Sequence, residues 1–437
     1  MPVQIGKDGT WATEYFGPYA GIDTQTPENL LAENASPAFS NFMLRNKELR
    51  SRPALIEEFL GVSGGIGNPT FQLGISSFVD INGIYHTVTW ARNNLYQFNP
   101  ALLPGDPWVA MVGAPADMKT NTVSYRAFAN SIYYACISQP VGKPRPAGGG
   151  SGPITTNPFL AVWDGIAAAP TFTQTFPDAS TSQSIAGIRL TDSPTVGGSL
   201  PGGPTIVGPI AIGGQYLGEL NNQLILANVM ILDQGTATIY NFPNLIWWSA
   251  NGLPLQWDPT QNTSAGFNAF LDVPDLITGL VTLGVAGYIF RTNGVTEFAP
   301  TGSAVTPFRF DHMWASDHGI GAVLPFSIAQ YGPTAAFIAI DNIYTLGLTS
   351  ATPIGGTARD AIMADLASIQ LPTQPFANII PFYKQGYVYL TYNIWIPFPT
   401  FLRHWVYSFE DKNWSSWDLQ IPYVLGVTPM YCAPNVV

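Results

Sequence analysis

The sequence predicts an all-β fold: a six-bladed β-propeller with an N-terminal arm and long Gly/Pro-rich loop insertions. Three observations predict it. Charged residues make up 10% of the 437 residues, against about 25% in an ordinary soluble domain. The 43 glycines, 38 prolines and 13% aromatic residues supply turns and strands rather than helix. Short aromatic and β-branched segments recur along the chain, with an underlying spacing of about fifty residues and two wider gaps, close to the ~40–50 residues of a propeller blade.

Residues 1–58 read as the arm. The opening "MPVQIGKDGTWATEYFGPYAGID" lacks the continuous apolar core of a signal peptide, so synthesis in a cytoplasm and a soluble product are expected. "TPENLLAENASPAFSNF" offers a short helix or turn, with Thr26 and Pro27 as N-cap and first helical residue and Glu28 near the positive end of the dipole. Then "RNKELRSRP" gathers Arg45, Lys47, Arg50 and Arg52 ahead of Pro53, in a chain with only 17 Lys and Arg. Such a cluster is either a solvated face or a docking arm that meets acidic surface on a neighbouring subunit or adaptor. Docking is the reading preferred here, because a chain of net charge -11 offers a cationic segment many partners, other copies included.

Residues 59–420 read as the propeller. The strand segments are "GIYHTVTWARNNLYQF" (83–98), "NSIYYACIS" (130–138), "NNQLILANV" (221–229), "AGYIFRTNGVTEF" (286–298), "TAAFIAIDNIYTL" (334–346) and "QGYVYLTYNIWI" (385–396). Anchors at Ile84, Ile132, Gln223, Gly287, Ala336 and Tyr387 make six units. In "TWARNNLYQF", "FRTNGVTEF" and "AIDNIYTL" an apolar strand passes through an Asn, Asp or Gly turn into a second strand, and Asn293-Gly294 is expected to supply the φ > 0 residues of a tight hairpin. Residues 139–210 hold two Pro/Gly/Ser-rich tracts too poor in side chains to fold alone; they are expected to project as mobile loops that a protease cuts first. A helix is expected at 357–369, "TARDAIMADLASI", capped by Thr357 with Ile362, Leu366 and Ile369 on one face. Residues 421–437 form a C-terminal tail segment.

The opening phrase Pro37, Asn41, Arg52-Pro53 resembles the motif that leads into the first blade of β-propeller virion proteins from short-tailed bacteriophages, the tail nozzle or tail-tube group. "IWWSANGLPLQW" matches a W-S-A…P-x-x-W phrase of that group at Trp248, Ser249, Ala250, Pro254 and Trp257. "GLVTLGVAGYIFRTNGVTEF" and "WVYSFEDKNWSSW" match two further phrases, in the same order. The chain departs from the group where the "RNKELR" run replaces a glycine and where the long insertion falls. The resemblance implies a structural virion protein made in the host bacterial cytoplasm and built into the tail. Several copies, six by this resemblance, would form a ring that continues the DNA channel, closes it before infection and supports genome ejection. It implies as partners other copies of the chain, a tail adaptor or portal-proximal protein, tail fibres, and viral DNA passing without specific binding. The alternatives are a host-surface glycan-binding or glycan-degrading propeller at the tail tip, and a fibre adaptor.

No catalytic role, cofactor or metal is expected. "DHMWASDHG" (311–319) carries two Asp-His pairs, but their spacing is not that of a helical zinc pair, no third ligand cluster follows, and Gly319 and Gly321 place the segment in a loop. Asp80, Asp164, Asp258, Asp272, Asp341 and Asp411 fall in turns beside aromatic strands, where they serve turn geometry rather than the facing carboxylates of a glycosidase. The chain has no nucleophile elbow, phosphate-binding loop or dinucleotide fingerprint. Trp247, Trp248, Trp257, Trp395, Trp405, Trp414 and Trp417 suit blade core before a sugar platform. Cys136 and Cys432 form no CxxC pair and imply neither a disulfide framework nor a zinc site.

Overall fold

The computed structural model describes residues 3–4, 11–12, 21–22, 35–36, 42–45, 48–51, 72–91, 94–102, 108–110, 124–136, 159–166, 173–174, 210–233, 238–254, 256–257, 259, 264–270, 275–313, 320–325, 327–347, 350–368, 376–384, 387–398 and 401–420. Among them, three short pairs come first. Strand β1 (Val3–Gln4) pairs with β2 (Trp11–Ala12), β3 (Gly21–Ile22) with β4 (Ala35–Ser36), and β5 (Phe42–Arg45) with β6 (Glu48–Ser51).

Six four-stranded antiparallel sheets follow, each made of consecutive strands, and together they form a six-bladed β-propeller. The first holds β7 (Gln72–Val79), β8 (Tyr85–Ala91), β9 (Asn94–Phe98) and β10 (Trp108–Ala110). The second holds β11 (Ser124–Phe128), β12 (Ser131–Cys136), β13 (Phe159–Trp163) and β14 (Thr173–Gln174). The third is β15 (Ile210–Leu220), β16 (Gln223–Asp233), β17 (Thr238–Trp248) and β18 (Gly266–Ala269). The fourth is β19 (Ile277–Leu283), β20 (Ala286–Arg291), β21 (Val295–Pro300) and β22 (Phe308–His312). The fifth contains β23 (Ala329–Tyr331), β24 (Thr334–Ile338), β25 (Ile343–Leu346) and β26 (Ala351–Pro353). The sixth contains β27 (Phe376–Lys384), β28 (Tyr387–Pro397), β29 (Phe401–Ser408) and β30 (Asn413–Gln420).

The six anchors read from the sequence mark one structural position. Ile132, Gln223, Gly287, Ala336 and Tyr387 lie in the second strand of their sheets, and Ile84 immediately precedes the second strand of the first. The three strand-turn-strand phrases are likewise the second-to-third hairpins of sheets one, four and five.

First strands pack on neighbouring sheets. β15 lies against β11, β12 and β13, β19 against β15, β16 and β17, and β23 against β27. A sheet covered on both faces needs apolar residues at successive positions, not alternate ones. That is why Leu224 to Ile231 run almost unbroken in apolar character and all six residues of β20 are buried.

Several local expectations need correction. Asn293 and Gly294 do not have positive φ. Their turn closes instead by the Arg291 N–H donating to the Gly294 carbonyl, with the Asn293 amide held by Asp275. Among the described residues the positive-φ pairs are Ala129-Asn130 and Asn221-Asn222, which join the first two strands of sheets two and three. The helix α1 (Arg359–Ala367) is present and buries Ile362 and Leu366, but its N-cap is Ala358, with Thr357 one residue earlier in a short 3-10 segment. The range 139–210 contains β13 and β14, because "FLAVW" ends in the buried Trp163 and completes the second sheet. The parts 139–158, 167–172 and 175–209 lie outside the described residues, as do most of 26–42 and all of 421–437.

The phrase "IWWSANGLPLQW" is a clamp. The buried Gln223 amide donates to the carbonyls of Ser249 and Ser264 at 2.7 and 2.8 Å. The Trp247 indole donates to the Trp257 carbonyl, and Asn251 and Gly252 bond the carbonyls of the Asn221-Asn222 turn. Gln223→Ala strands the buried Ser249 carbonyl, while the Ser264 carbonyl keeps the Trp248 indole as donor, so a loss of about 1–3 kcal/mol is expected in denaturant unfolding. A loss under about 0.5 kcal/mol, the ordinary range for surface substitutions, would show that the clamp does not hold the third sheet.

Candidate docking arm and blade-end networks

The basic segment folds back as a hairpin. β5 and β6 pair with Phe42 opposite Ser51, Met43 opposite Arg50, Leu44 opposite Leu49 and Arg45 opposite Glu48. The hairpin lies against β30 and β29, and β3 also lies on β30, the outermost strand of the sixth sheet. An exposed outer strand presents unpaired backbone groups, and covering it is one way a β-protein avoids edge-to-edge association. The chain then runs from the last blade to the first, at β7. Arg45 and Arg50 therefore sit on a hairpin docked beside the last blade, while Lys47 and Arg52 lie outside the described residues.

The carboxylates singled out from the sequence are used inside their own turns. Asp80 accepts from the Asn82 and Ile84 N–H groups, both at 2.8 Å. Asp164 accepts from Ile166 N–H, Asp341 from the Tyr344 hydroxyl, and Asp411 from the Ser408 hydroxyl. Burial, together with that bond to Asp341, pushes the Tyr344 hydroxyl up to about 12. Asp258 and Asp272 lie outside the described residues. Trp247, Trp248, Trp257, Trp405, Trp414 and Trp417 are all buried, in keeping with blade core, and Trp395 is half-buried.

Of "DHMWASDHG", residues 314–319 lie outside the described residues. His312 ends β22 in a polar cluster, with its Nδ1 3.0 Å from the Thr296 hydroxyl and 3.1 Å from the Arg291 guanidinium. Arg291 is fully buried and lies over the Phe270 ring. Among the described residues no three His, Cys, Asp or Glu side chains gather as metal ligands.

Two networks went unread in the sequence. In the first, buried His86 contacts Asp80 Oδ2 through Nε2 at 3.2 Å and Gln97 through Nδ1 at 2.9 Å, and it stacks on Phe78 and meets Trp163 edge-on. The local signal was "DINGIYH", an Asx turn closed at Gly83, where φ is +81°. In the second, Arg403 forks onto Asp418 at 2.8 and 3.2 Å and reaches Asp365 at 3.2 Å, while the Trp405 indole donates to Asp365. This ties α1 to the sixth sheet. No sequence spacing announces it, since Asp365 and Arg403 are brought together only by the fold.

Burial works against the charge of Asp80, yet the Ile84 and Asn82 N–H groups and His86 outweigh it and hold the carboxyl below its ordinary value. A depressed carboxyl adds stability above the unfolded-state pKa, about 3.9, and that stability is lost as pH falls through the folded value. Asp80→Asn should therefore lower the thermal midpoint at pH 7, with the gap to wild type closing in acid below about pH 4. A gap that is constant across that range would mean the charge plays no part.

Three solved structures illustrate what the chain is similar to. A prolyl endopeptidase matches at 12% identity over 80% of this chain and 43% of its own, with a TM-score of 0.35. The Aleuria aurantia lectin, in complex with Fucα1-6GlcNAc, matches at 12% over 81% and 93%, with a TM-score of 0.33. The NanB sialidase of Streptococcus pneumoniae matches at 9% over 69% and 61%, with a TM-score of 0.32. This chain spans less than half the length of the prolyl endopeptidase chain. No family model matches the chain, and no curated protein does. The propeller assignment rests on the six sheets themselves.

Proposed function

We propose that the chain is a structural subunit of a short bacteriophage tail, and that several copies, six by resemblance, form the nozzle ring that continues the DNA channel. The observation that carries this reading is the order of four motif phrases along one chain, from Pro37 to Trp417. The geometry supports a structural rather than catalytic part, because Asp80, Asp164, Asp341 and Asp411 each accept a hydrogen bond within their own turn. Small propellers fill their axis with side chains, so the conduit lies between subunits. A closed ring needs each copy to offer one face to the next, and a basic arm against an acidic body supplies that asymmetry. A wall of net charge -11 per copy also lets DNA slide, where a basic wall would hold phosphates at many points.

In this reading the protein is synthesised in the host cytoplasm, enters the virion tail, and meets the adaptor above and the fibres at its side. Incubation with host-surface polysaccharides is expected to release no reducing ends. Release that an Asp or Glu substitution abolishes would replace this reading with that of a glycan-degrading tail-tip propeller. Binding of the isolated protein to cells or purified fibres, without ring formation, would instead make it a receptor-binding protein or fibre adaptor.

A further inference from the structure

Asparagine followed by glycine is the pair in which a backbone most readily attacks its own side chain, because glycine has no Cβ to shield its nitrogen and leaves the chain free to bend. The sequence holds three such pairs, Asn82-Gly83, Asn251-Gly252 and Asn293-Gly294, and all three lie in described turns. The reaction needs the asparagine side chain to swing its carbonyl carbon onto the glycine nitrogen. What holds the amide therefore decides which pair reacts.

Two of the three amides are held. The Asn251 amide donates to the Asn221 carbonyl at 2.9 Å, and the Asn251 N–H donates to the Ser264 hydroxyl at 3.0 Å. The Asn293 amide donates to Asp275 Oδ1 at 2.7 Å, and Gly294 behind it is buried. Asn82 differs. Its backbone N–H donates to Asp80 Oδ1, but among the described residues its side-chain amide has no hydrogen-bond partner, and Asn82 and Gly83 are both exposed. The attacking nitrogens do not separate Asn82 from Asn251, since the Gly83 and Gly252 N–H groups each donate to one carbonyl, at 3.0 and 2.9 Å.

We propose that Asn82 is the site at which the folded chain converts asparagine to isoaspartate, and that the change loosens the seam between sheets one and two. The Gly83 nitrogen, passing its proton to a base in solvent, bonds to the Asn82 side-chain carbonyl carbon; the bond from that carbon to the amide nitrogen breaks, and ammonia leaves with a proton from solvent. Water then opens the five-membered imide at one of its two carbonyls, giving Asp or isoaspartate. Nothing is oxidised or reduced, and water is the co-reactant consumed. Isoaspartate carries the backbone through its side chain, one methylene longer, so the turn cannot keep the Gly83 N–H bond to the Asp80 carbonyl as it stands. That carbonyl also accepts from the Asn130 amide of sheet two at 3.3 Å. Asp80 Oδ1 holds the Asn82 and Ile84 N–H groups on either side of the lengthened link. Its Oδ2 meets His86, against which Trp163 of sheet two and Gly165 just beyond it pack.

The test is peptide mapping by mass spectrometry of the full chain, aged in warm, mildly alkaline buffer made with heavy-oxygen water, both folded and in denaturant. In the folded chain the Asn82 peptide is expected to deamidate about tenfold faster than the other two, since freeing a bonded amide costs about that factor. It should take up heavy oxygen and contain isoaspartate. In denaturant the three peptides should react at similar rates. Ageing should lower the thermal midpoint of the wild type and leave that of Asn82→Ser, which has no amide to lose at this exposed position, unchanged. Equal rates in the folded chain, or the same preference for Asn82 in denaturant, would overturn the assignment. An aged wild type whose midpoint falls no further than that of Asn82→Ser would overturn the loosened seam.

Discussion

Gly321→Ala is expected to cost about 3–5 kcal/mol, at the upper end for a single methyl group. A Cβ there would collide with the Arg291 and Thr292 carbonyl oxygens and the Gly294 amide nitrogen. All three are backbone atoms of the turn that ends β20, so no side chain can swing away. Displacing that turn would also disturb the Arg291 N–H bond to Gly294 and the bond between Asn293 and Asp275 beside it. Gly302→Ala is the control: its φ is +79° but nothing lies within 4 Å of the added atom. It should cost only the left-handed strain of about 1–2 kcal/mol. Denaturant midpoints measure both. Equal losses would mean that the 320–323 loop does not pack on the turn as described.

Reversing Arg45, Lys47, Arg50 and Arg52 to Glu is expected to reduce entry into particles severely while leaving the propeller folded. The hairpin lies outside the six sheets, so far-UV circular dichroism should not change. Charge pairing across an interface weakens with salt, with a screening length of about 8 Å at physiological ionic strength. Ring assembly by the wild type should therefore weaken as salt rises, and the variant should assemble poorly at every salt concentration. Normal incorporation of the variant would make the arm a strap for the last blade and a solvated face, with no role between subunits.

The blade count was legible because a propeller repeats one hydrogen-bonded unit. Each unit's anchor, from Ile84 to Tyr387, falls in its second strand or just before it, even where the connections lengthen. The turns were less legible. Asn293-Gly294 had the composition of a tight hairpin, but the close approach of Gly321 and the bond from Asn293 to Asp275 go with a different turn. The positive-φ pairs went instead to Asn221-Asn222 and to Ala129-Asn130, where a neighbour-free composition rule gives little warning for alanine. The arm's charges were visible as a cluster, yet its place beside β30 depends on contacts nearly four hundred residues apart in sequence. Asp80 was legible as a turn residue, but its partner His86, six residues on, was not, because the burial that pairs them comes from Phe78 and Trp163, which only the fold brings to the ring.

The measurement closest to the central claim is a density map of intact particles. The account predicts this chain in a closed ring at the end of the short tail, with the DNA path running between subunits and the arm hairpins turned toward their neighbours. Single copies on the capsid exterior, or particles from which the chain is absent, would contradict it.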